Sequence, residues 1–353
     1  MSSTLVRVGL VGVTGYTGME LARLLAVHPS FRLAAVTSRQ EAGQTLAEVY
    51  PFLQGFAVGD LVVSLPDADA LADACDLIFL AVPHGAAMSI AAELLARGRK
   101  VVDLSADFRL RDTAVYEKWY GREHSLADAL AEAVYGLPEL YADRIAAASL
   151  VANPGCYPTA AILGLYPALA RKLIDPDDIV IDAKSGVSGA GRGPVLGSLF
   201  CEVQDSFRAY SLGSHRHTPE MEQELSAIAG RPLVVSFNAH LLPVNRGILA
   251  TIYTKPKDPG LSPAAAREAY ASAYADHPFV RMLPAGRLPE IRSTRGTMFC
   301  DIALVADARS GRLIIVSVID NLCRGASGQA IANANLMCGL PLAAGLGQAA
   351  LVP

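Results

Sequence analysis

Hydrophobic positions in the first half of the chain fall into short continuous runs separated by stretches with helical spacing. Residues 5 to 12 form the first apolar run, interrupted by Arg7 and closed by Gly12. From Gly18, the positions Leu21, Leu24, Leu25 and His28 recur at helical intervals, and Pro29 closes the element. Phe31 to Thr37 follows as a second strand, Asp76 to Val82 as a third and Lys100 to Leu104 as a fourth. An alanine-rich helical stretch, Gly85 to Arg97, separates the last two. Strands without internal alternation are buried on both faces, and strands alternating with helices imply a parallel sheet with right-handed crossovers.

Near residue 150 the texture changes. Ser149 to Ala152 predicts a strand that runs into Asn153-Pro154-Gly155-Cys156, and Pro158 to Leu169 predicts a helix. Ile179 to Lys184, Leu233 to Asn238, Gly247 to Thr254 and Arg312 to Ile319 predict strands with few helices between them. That pattern suits a mixed or antiparallel sheet. A final helix, Ala326 to Met337, is expected to pack back on the first half. The predicted architecture is therefore α/β: a Rossmann-type doubly wound parallel sheet domain (1–150 plus 320–353) and an α+β catalytic and oligomerisation domain (151–319) with a mixed sheet.

Size and composition agree with two domains. The chain has 353 residues, 52% hydrophobic and 18% charged, more than one core ordinarily serves and too apolar for disorder. A net charge of -4 gives no electrostatic reason to expect nucleic acid or an anionic membrane as partner. No stretch reaches the roughly 20 apolar residues of a membrane span, and the start lacks the layout of a signal peptide. The six cysteines show no paired spacing and read as reduced thiols of a cytoplasmic protein.

The loop after the first strand is Gly12-Val-Thr-Gly15-Tyr-Thr-Gly18. Glycines there let the backbone turn tightly and approach a pyrophosphate at a helix N-terminus. Its GxxGxxG spacing is a less specific signal than GxGxxG, and by itself it is also compatible with a plain tight turn. The expected cofactor contacts on this side are Gly12, Thr14, Gly15, Tyr16, Thr17, Gly18 and Pro83. At the tip of the second strand no acidic residue awaits the ribose of NAD. Ser38 and Arg39 stand there instead, suited to the 2′-phosphate of NADP, although Arg39 also fits a solvated surface charge.

Cys156 lies on a Pro-Gly bend just ahead of a predicted helix N-terminus, where the dipole and free N–H groups favour a thiolate. A buried packing role is the common alternative for a cysteine. The segment His215-Arg216-His217-Thr218-Pro219-Glu220 admits three readings: metal ligands, a general acid/base beside a cation, or a polar cap on the helix that follows. No further ligand at suitable spacing accompanies it, so no metal is expected. A thiol nucleophile requires a proton-transfer partner, which favours the acid/base reading. Arg109, Lys184, Arg192 and Arg246 are candidate anchors for an anionic substrate, each equally compatible with an ordinary surface charge. The glycine-rich loop 186–191 lacks the Lys-Ser/Thr pair of an ATP-binding loop.

Taken together, GVTGYTG (12–18), LSADFRL (104–110), YGLPEL (135–140), ANPGCYPTA (152–160), SGVSGAGR (185–192), HRHTPE (215–220), PVNRG (243–247) and GASGQA (325–330) resemble the N-acetyl-gamma-glutamyl-phosphate reductases, relatives of the aspartate-semialdehyde dehydrogenases. The resemblance spans nearly the whole chain, and the pairing of NPGCYPT with HRHTPE is its specific part. It implies NADPH-dependent reduction of an acyl phosphate in arginine biosynthesis through a thioester on Cys156, with His217 as acid/base and His215 a weaker candidate. It also implies that the loop around Ser185 to Gly191 borders the active site and that Asn321 approaches the nicotinamide. Ser185 and Gly186 are expected against the cofactor, Glu220 and His215 on the substrate side, and the protein is expected to be a homo-oligomer, dimer or tetramer. Reductases of aminoadipyl or aspartyl phosphate share the chemistry. A thiol acyl transferase or an NADP-binding sensor are rivals of other classes.

Overall fold

The computed structural model describes residues 5–352, which fold as two compact units. The first comprises residues 5–154 with 326–347, the second 155–325 with 348–352.

In the first unit, β1 (Val6–Val11), α1 (Tyr16–Leu25) and β2 (Phe31–Thr37) follow the predicted order. Short helices α2 (Leu46–Val49) and α3 (Ala68–Ala74) lead to β3 (Leu77–Leu80), α4 (Ala87–Ala96) and β4 (Lys100–Asp103). Then come α5 (Thr113–Tyr120), α6 (Ala127–Glu132), β5 (Val134–Tyr135), α7 (Pro138–Ala147) and β6 (Leu150–Ala152). The six strands lie in the order β2-β1-β3-β4-β6-β5, and every pairing is parallel. All four residues of β3 are buried, as a strand covered on both faces requires.

The second unit begins with α8 (Cys156–Ala170), which starts two residues earlier than expected. Next are β7 (Ile174–Gly186), α9 (Phe200–Val203), β8 (Arg208–Tyr210), α10 (Thr218–Ala229) and β9 (Ser236–Leu242). The remainder is β10 (Ile248–Pro256), α11 (Pro263–Ala273), β11 (Val280–Met282), β12 (Cys300–Asp307) and β13 (Arg312–Ile319), with α12 (Gly328–Met337) returning to the first unit. Seven strands form one sheet in the order β11-β12-β13-β10-β7-β9-β8, with parallel β7/β9 and β11/β12 pairs among antiparallel ones. Along β10, Ile248, Ala250 and Ile252 are buried on the face that α8 covers, while Leu249, Thr251 and Tyr253 stay half-exposed on the other. That is the alternation of a sheet with one covered face.

Several boundaries differ from the sequence reading. The strand expected at 233–238 runs from Ser236 to Leu242, because its register is set by pairing with Val180 to Gly186 of β7. The chain passes between units at Pro154/Gly155 and Gly325/Ala326, not at 150/151 and 319/320. Residues 320–325 stay with the second unit, where the Asp320 carboxylate accepts the N–H of Gly296. The tail 348–352 does so too, through Leu351 N–H on the carbonyl of Arg295.

Candidate active site

The first unit offers a cradle for a dinucleotide. Gly15 caps α1 from an extended conformation, and no acidic side chain occupies the first turn. Gly12 has φ +87°, a conformation that disfavours any side chain. A Cβ on Gly18 would stand 2.3 Å from the Gly12 carbonyl oxygen, so strand and helix meet there only without a side chain. A Cβ on Gly15 would meet nothing nearer than 3.9 Å, leaving open space at the helix N-terminus. These features fit a pyrophosphate. Tyr16 and Thr17 open α1 itself. Ser38 is buried, its hydroxyl 3.2 Å from that of Thr14, while Arg39 stands exposed at the tip of β2.

Pro83 lies exposed after β3, at the start of a loop held by Asp107. The Asp107 carboxylate accepts the N–H groups of Gly85 and Ala87 and the hydroxyl of Tyr116. Nearby Asp103 is fully buried, and its carboxyl is pushed up to about 7 by burial, then by the charge of Asp107. Arg109 is buried. Its Nε donates to the Asn153 carbonyl at 2.8 Å and its Nη2 to that of Leu104 at 2.9 Å, which secures the backbone just ahead of Pro154.

The second unit carries the thiol. Cys156 is the first residue of the fifteen-residue α8 and is partly exposed. Gly155 is its N-cap, and its N–H donates to the Glu220 carboxylate at 2.7 Å. Glu220, almost fully buried, sits in the first turn of α10, whose N-cap is His217. One carboxylate thus ties the start of the helix bearing the thiol to the start of the helix bearing the imidazole. Glu220 was expected on the substrate side; in this geometry it braces the two motifs.

Around them lies an aromatic cluster. The Tyr157 ring meets His215 edge-on at 5.4 Å and His217 at 6.0 Å, and the two histidine rings are 4.9 Å apart. His215 Nδ1 accepts the backbone N–H of His217, which leaves Nε2 to carry the ring proton of the neutral form. Burial, then the charge of Arg216, pushes His215 down to about 4, so at neutral pH it is uncharged and orients its neighbour. Tyr157 hydroxyl lies 3.0 Å from that of Tyr210, and burial pushes both phenols up, Tyr210 to about 12. Neither phenol ionises near neutrality. Tyr157 was legible beside Cys156; Tyr210 comes from a three-residue strand with no sequence signal.

The remaining candidates divide. Asn321 Oδ1 accepts the N–H of Gly247, and its Nδ2 donates to Ser188 Oγ, joining the PVNRG segment to the loop after Ser185 and Gly186. Arg246 approaches buried Asp320 at 3.6 Å. Arg192 is exposed. Lys184 is not brought to Cys156: alternation along β7 puts it on the face away from α8, where Nζ meets the Asp182 carboxylate at 2.5 Å and His240 meets the same group at 3.1 Å. Among the described residues no group of three or more His, Cys, Asp or Glu could hold a metal ion, and no helix is long and apolar enough to cross a membrane.

A parallel sheet with a glycine-rich first turn, together with a mixed sheet whose covering helix begins with a thiol, defines a two-domain semialdehyde dehydrogenase. Residues 7–148 match the family model described as semialdehyde dehydrogenase, NAD binding domain, and residues 156–321 match the one described as semialdehyde dehydrogenase, dimerisation domain. Aspartate semialdehyde dehydrogenase II from Vibrio cholerae, complexed with ASA, superposes with a TM-score of 0.71 at 15% identity over 96% of this chain and 99% of that one. The Candida albicans enzyme with NADP gives 0.71 at 18%, over 95% and 99%. At such identities the likeness concerns the fold. Sequence relatives are more specific: N-acetyl-gamma-glutamyl-phosphate reductases of Desulforudis audaxviator and Pelotomaculum thermopropionicum are 53% and 52% identical, covering 97% and 99% of this chain and 98% and 99% of theirs. The chain belongs to the N-acetyl-gamma-glutamyl-phosphate reductase family.

Proposed function

We propose that the protein reduces N-acetyl-gamma-glutamyl phosphate to N-acetylglutamate 5-semialdehyde and phosphate, a step of arginine biosynthesis, with NADPH as reductant and Cys156 as nucleophile. The observation that carries this reading is the placement of Cys156 at the N-terminus of α8, with Glu220 bridging it to the α10 turn that presents His217.

The thiolate of Cys156 attacks the acyl phosphate carbon, and phosphate leaves with the electrons of the broken C–O bond. Splitting the reaction at a thioester gives a better hydride acceptor than a carboxylate. When bound, NADPH supplies the hydride that reduces this thioester. His217 donates a proton to the carbonyl oxygen as the hydride arrives, and takes it back as the C–S bond breaks, which frees the aldehyde and the thiolate. His215 holds His217 in place through its backbone N–H. Arg192 and Arg246 are the cations proposed to meet the anionic substrate. Ser38 and Arg39 support NADP over NAD.

The half-exposed face of the second sheet supports assembly into a homo-oligomer, a dimer or tetramer, and the protein is proposed to act in the cytoplasm. The test is the reverse reaction. Purified protein, N-acetylglutamate semialdehyde, phosphate and NADP should produce NADPH at 340 nm, and alkylation of Cys156 should abolish the signal. NADP binding without turnover of this aldehyde, but with turnover of another semialdehyde, would reassign the acyl group.

A further inference from the structure

The GASG segment has no role in the chemistry described so far, yet it touches the nucleophile. A Cβ built on Gly325 would lie 2.6 Å from the Cys156 Cβ and 3.0 Å from its Cα. No side chain fits at that separation, and Cys156 has little room to retreat, because Gly155 behind it is fixed to Glu220 at 2.7 Å. The strand of chain that presents Gly325 is itself tightly built. Asp320, fully buried, accepts the N–H groups of Leu322 at 2.8 Å and Cys323 at 2.7 Å on one oxygen and that of Gly296 at 2.7 Å on the other. Its own carbonyl accepts the N–H of Gly325 at 2.9 Å. A π-helical turn follows at Cys323–Ser327, a local geometry that helices adopt rarely and often at functional positions.

We propose that Gly325, held by the Asp320 turn, is a positioning residue for the nucleophile: its bare backbone forms the wall against which the Cys156 side chain is set. The inference rests on the reading of Cys156 as the nucleophile. Packing of this kind fixes where the sulfur sits relative to the acyl carbon, and displacement of about 1 Å at a reacting atom costs about 10²-fold in rate.

The test compares the full-length protein with Gly325→Ala. In the phosphate-dependent formation of NADPH, kcat should fall by about 10²-fold while the dissociation constant for NADP is unchanged. Iodoacetamide, added without substrate, should alkylate Cys156 about tenfold more slowly in the variant, as a displaced thiol leaves the helix N-terminus. Exposed Cys201 reports on the same molecule: its rate should stay as in the parent, and buried Cys75 and Cys300 should stay protected. Wild-type turnover, or an unchanged Cys156 rate beside an unchanged Cys201 rate, overturns the proposal. Should Gly325→Ala fail to fold, Asp320→Asn takes its place, since an amide N–H facing that of Gly296 loosens the turn without adding bulk. Parent-like alkylation of Cys156 in that variant equally overturns it. Because alkylation needs no acyl substrate, slow alkylation together with no turnover of N-acetylglutamate semialdehyde in the parent would sink the proposed substrate and leave the positioning role standing.

Discussion

The two units solve different problems with different parts of the chain. In the first, the expected ligand contacts are mostly backbone: a glycine motif, Gly12 to Gly18, that runs from the end of one strand into the first turn of the next helix. In the second, the candidate site is assembled from distant segments, with Gly155 and Glu220 meeting across 65 residues and Arg246 and Asp320 across 74. A site made of local backbone is encoded where it is used. A site made of distant side chains exists only once the sheet has brought its loops together.

Separate damage to each unit tests that contrast. Replacing Cys156 with Ser should lower turnover by more than about 10⁴-fold, since a nucleophile is lost outright. NADP titration should give the parent's affinity, and a parallel loss of cofactor binding would contradict a division of labour between the units. Next in size, Glu220→Ala leaves the buried N–H of Gly155 without its acceptor, at a cost of about 1–3 kcal/mol in unfolding free energy, and kcat should fall with it. Denaturant titration beside steady-state kinetics checks both. The mirror experiment is Gly18→Ala, whose Cβ would collide with the Gly12 carbonyl and with Val13. Overpacking there should cost about 1–3 kcal/mol and weaken NADP binding, with the alkylation rate of Cys156 unchanged.

A smaller effect is expected at Arg39. Its substitution by Ala should reduce the preference for NADP over NAD by about tenfold, the worth of one charge-assisted hydrogen bond. An unaltered ratio of the two kcat/KM values would make Arg39 a surface charge.

In the pH dependence of stability the two units should slope in opposite directions. Burial favours the neutral form of Asp103, so the folded state holds a proton that the unfolded state releases. Its contribution to stability falls as pH rises from 3.8 to about 7 and is level above that. Burial likewise favours neutral His215, and here the unfolded state takes up the proton. Stability falls as pH drops from 6.5 towards about 4. Unfolding measured across this range should lose the first slope in Asp103→Asn and the second in His215→Asn.

Much of the first unit was legible because its strands are continuous apolar runs and its crossovers are local. Phe31–Thr37 and Arg312–Ile319 were placed to the residue. The strand at Ser236–Leu242 was displaced because Leu233, Val234 and Val235 are as apolar as the strand itself, and only pairing with β7 decides the register. The small strands Val134–Tyr135 and Arg208–Tyr210 escaped notice, too short to show a period. Cys156 and His217 stood out through their flanking prolines and glycines. Lys184 stood out for its charge, and strand alternation then turned it towards Asp182.

The sequence by itself determined the order of strands and helices, the glycine loop, the thiol at a helix start and the histidine motif, since each depends on neighbours within about a dozen residues. Only the tertiary structure decided that Glu220 braces Gly155, that His215 is driven neutral beside His217, and that Gly325 packs against Cys156. Those facts depend on burial and on distances across the fold, and a linear pattern carries neither.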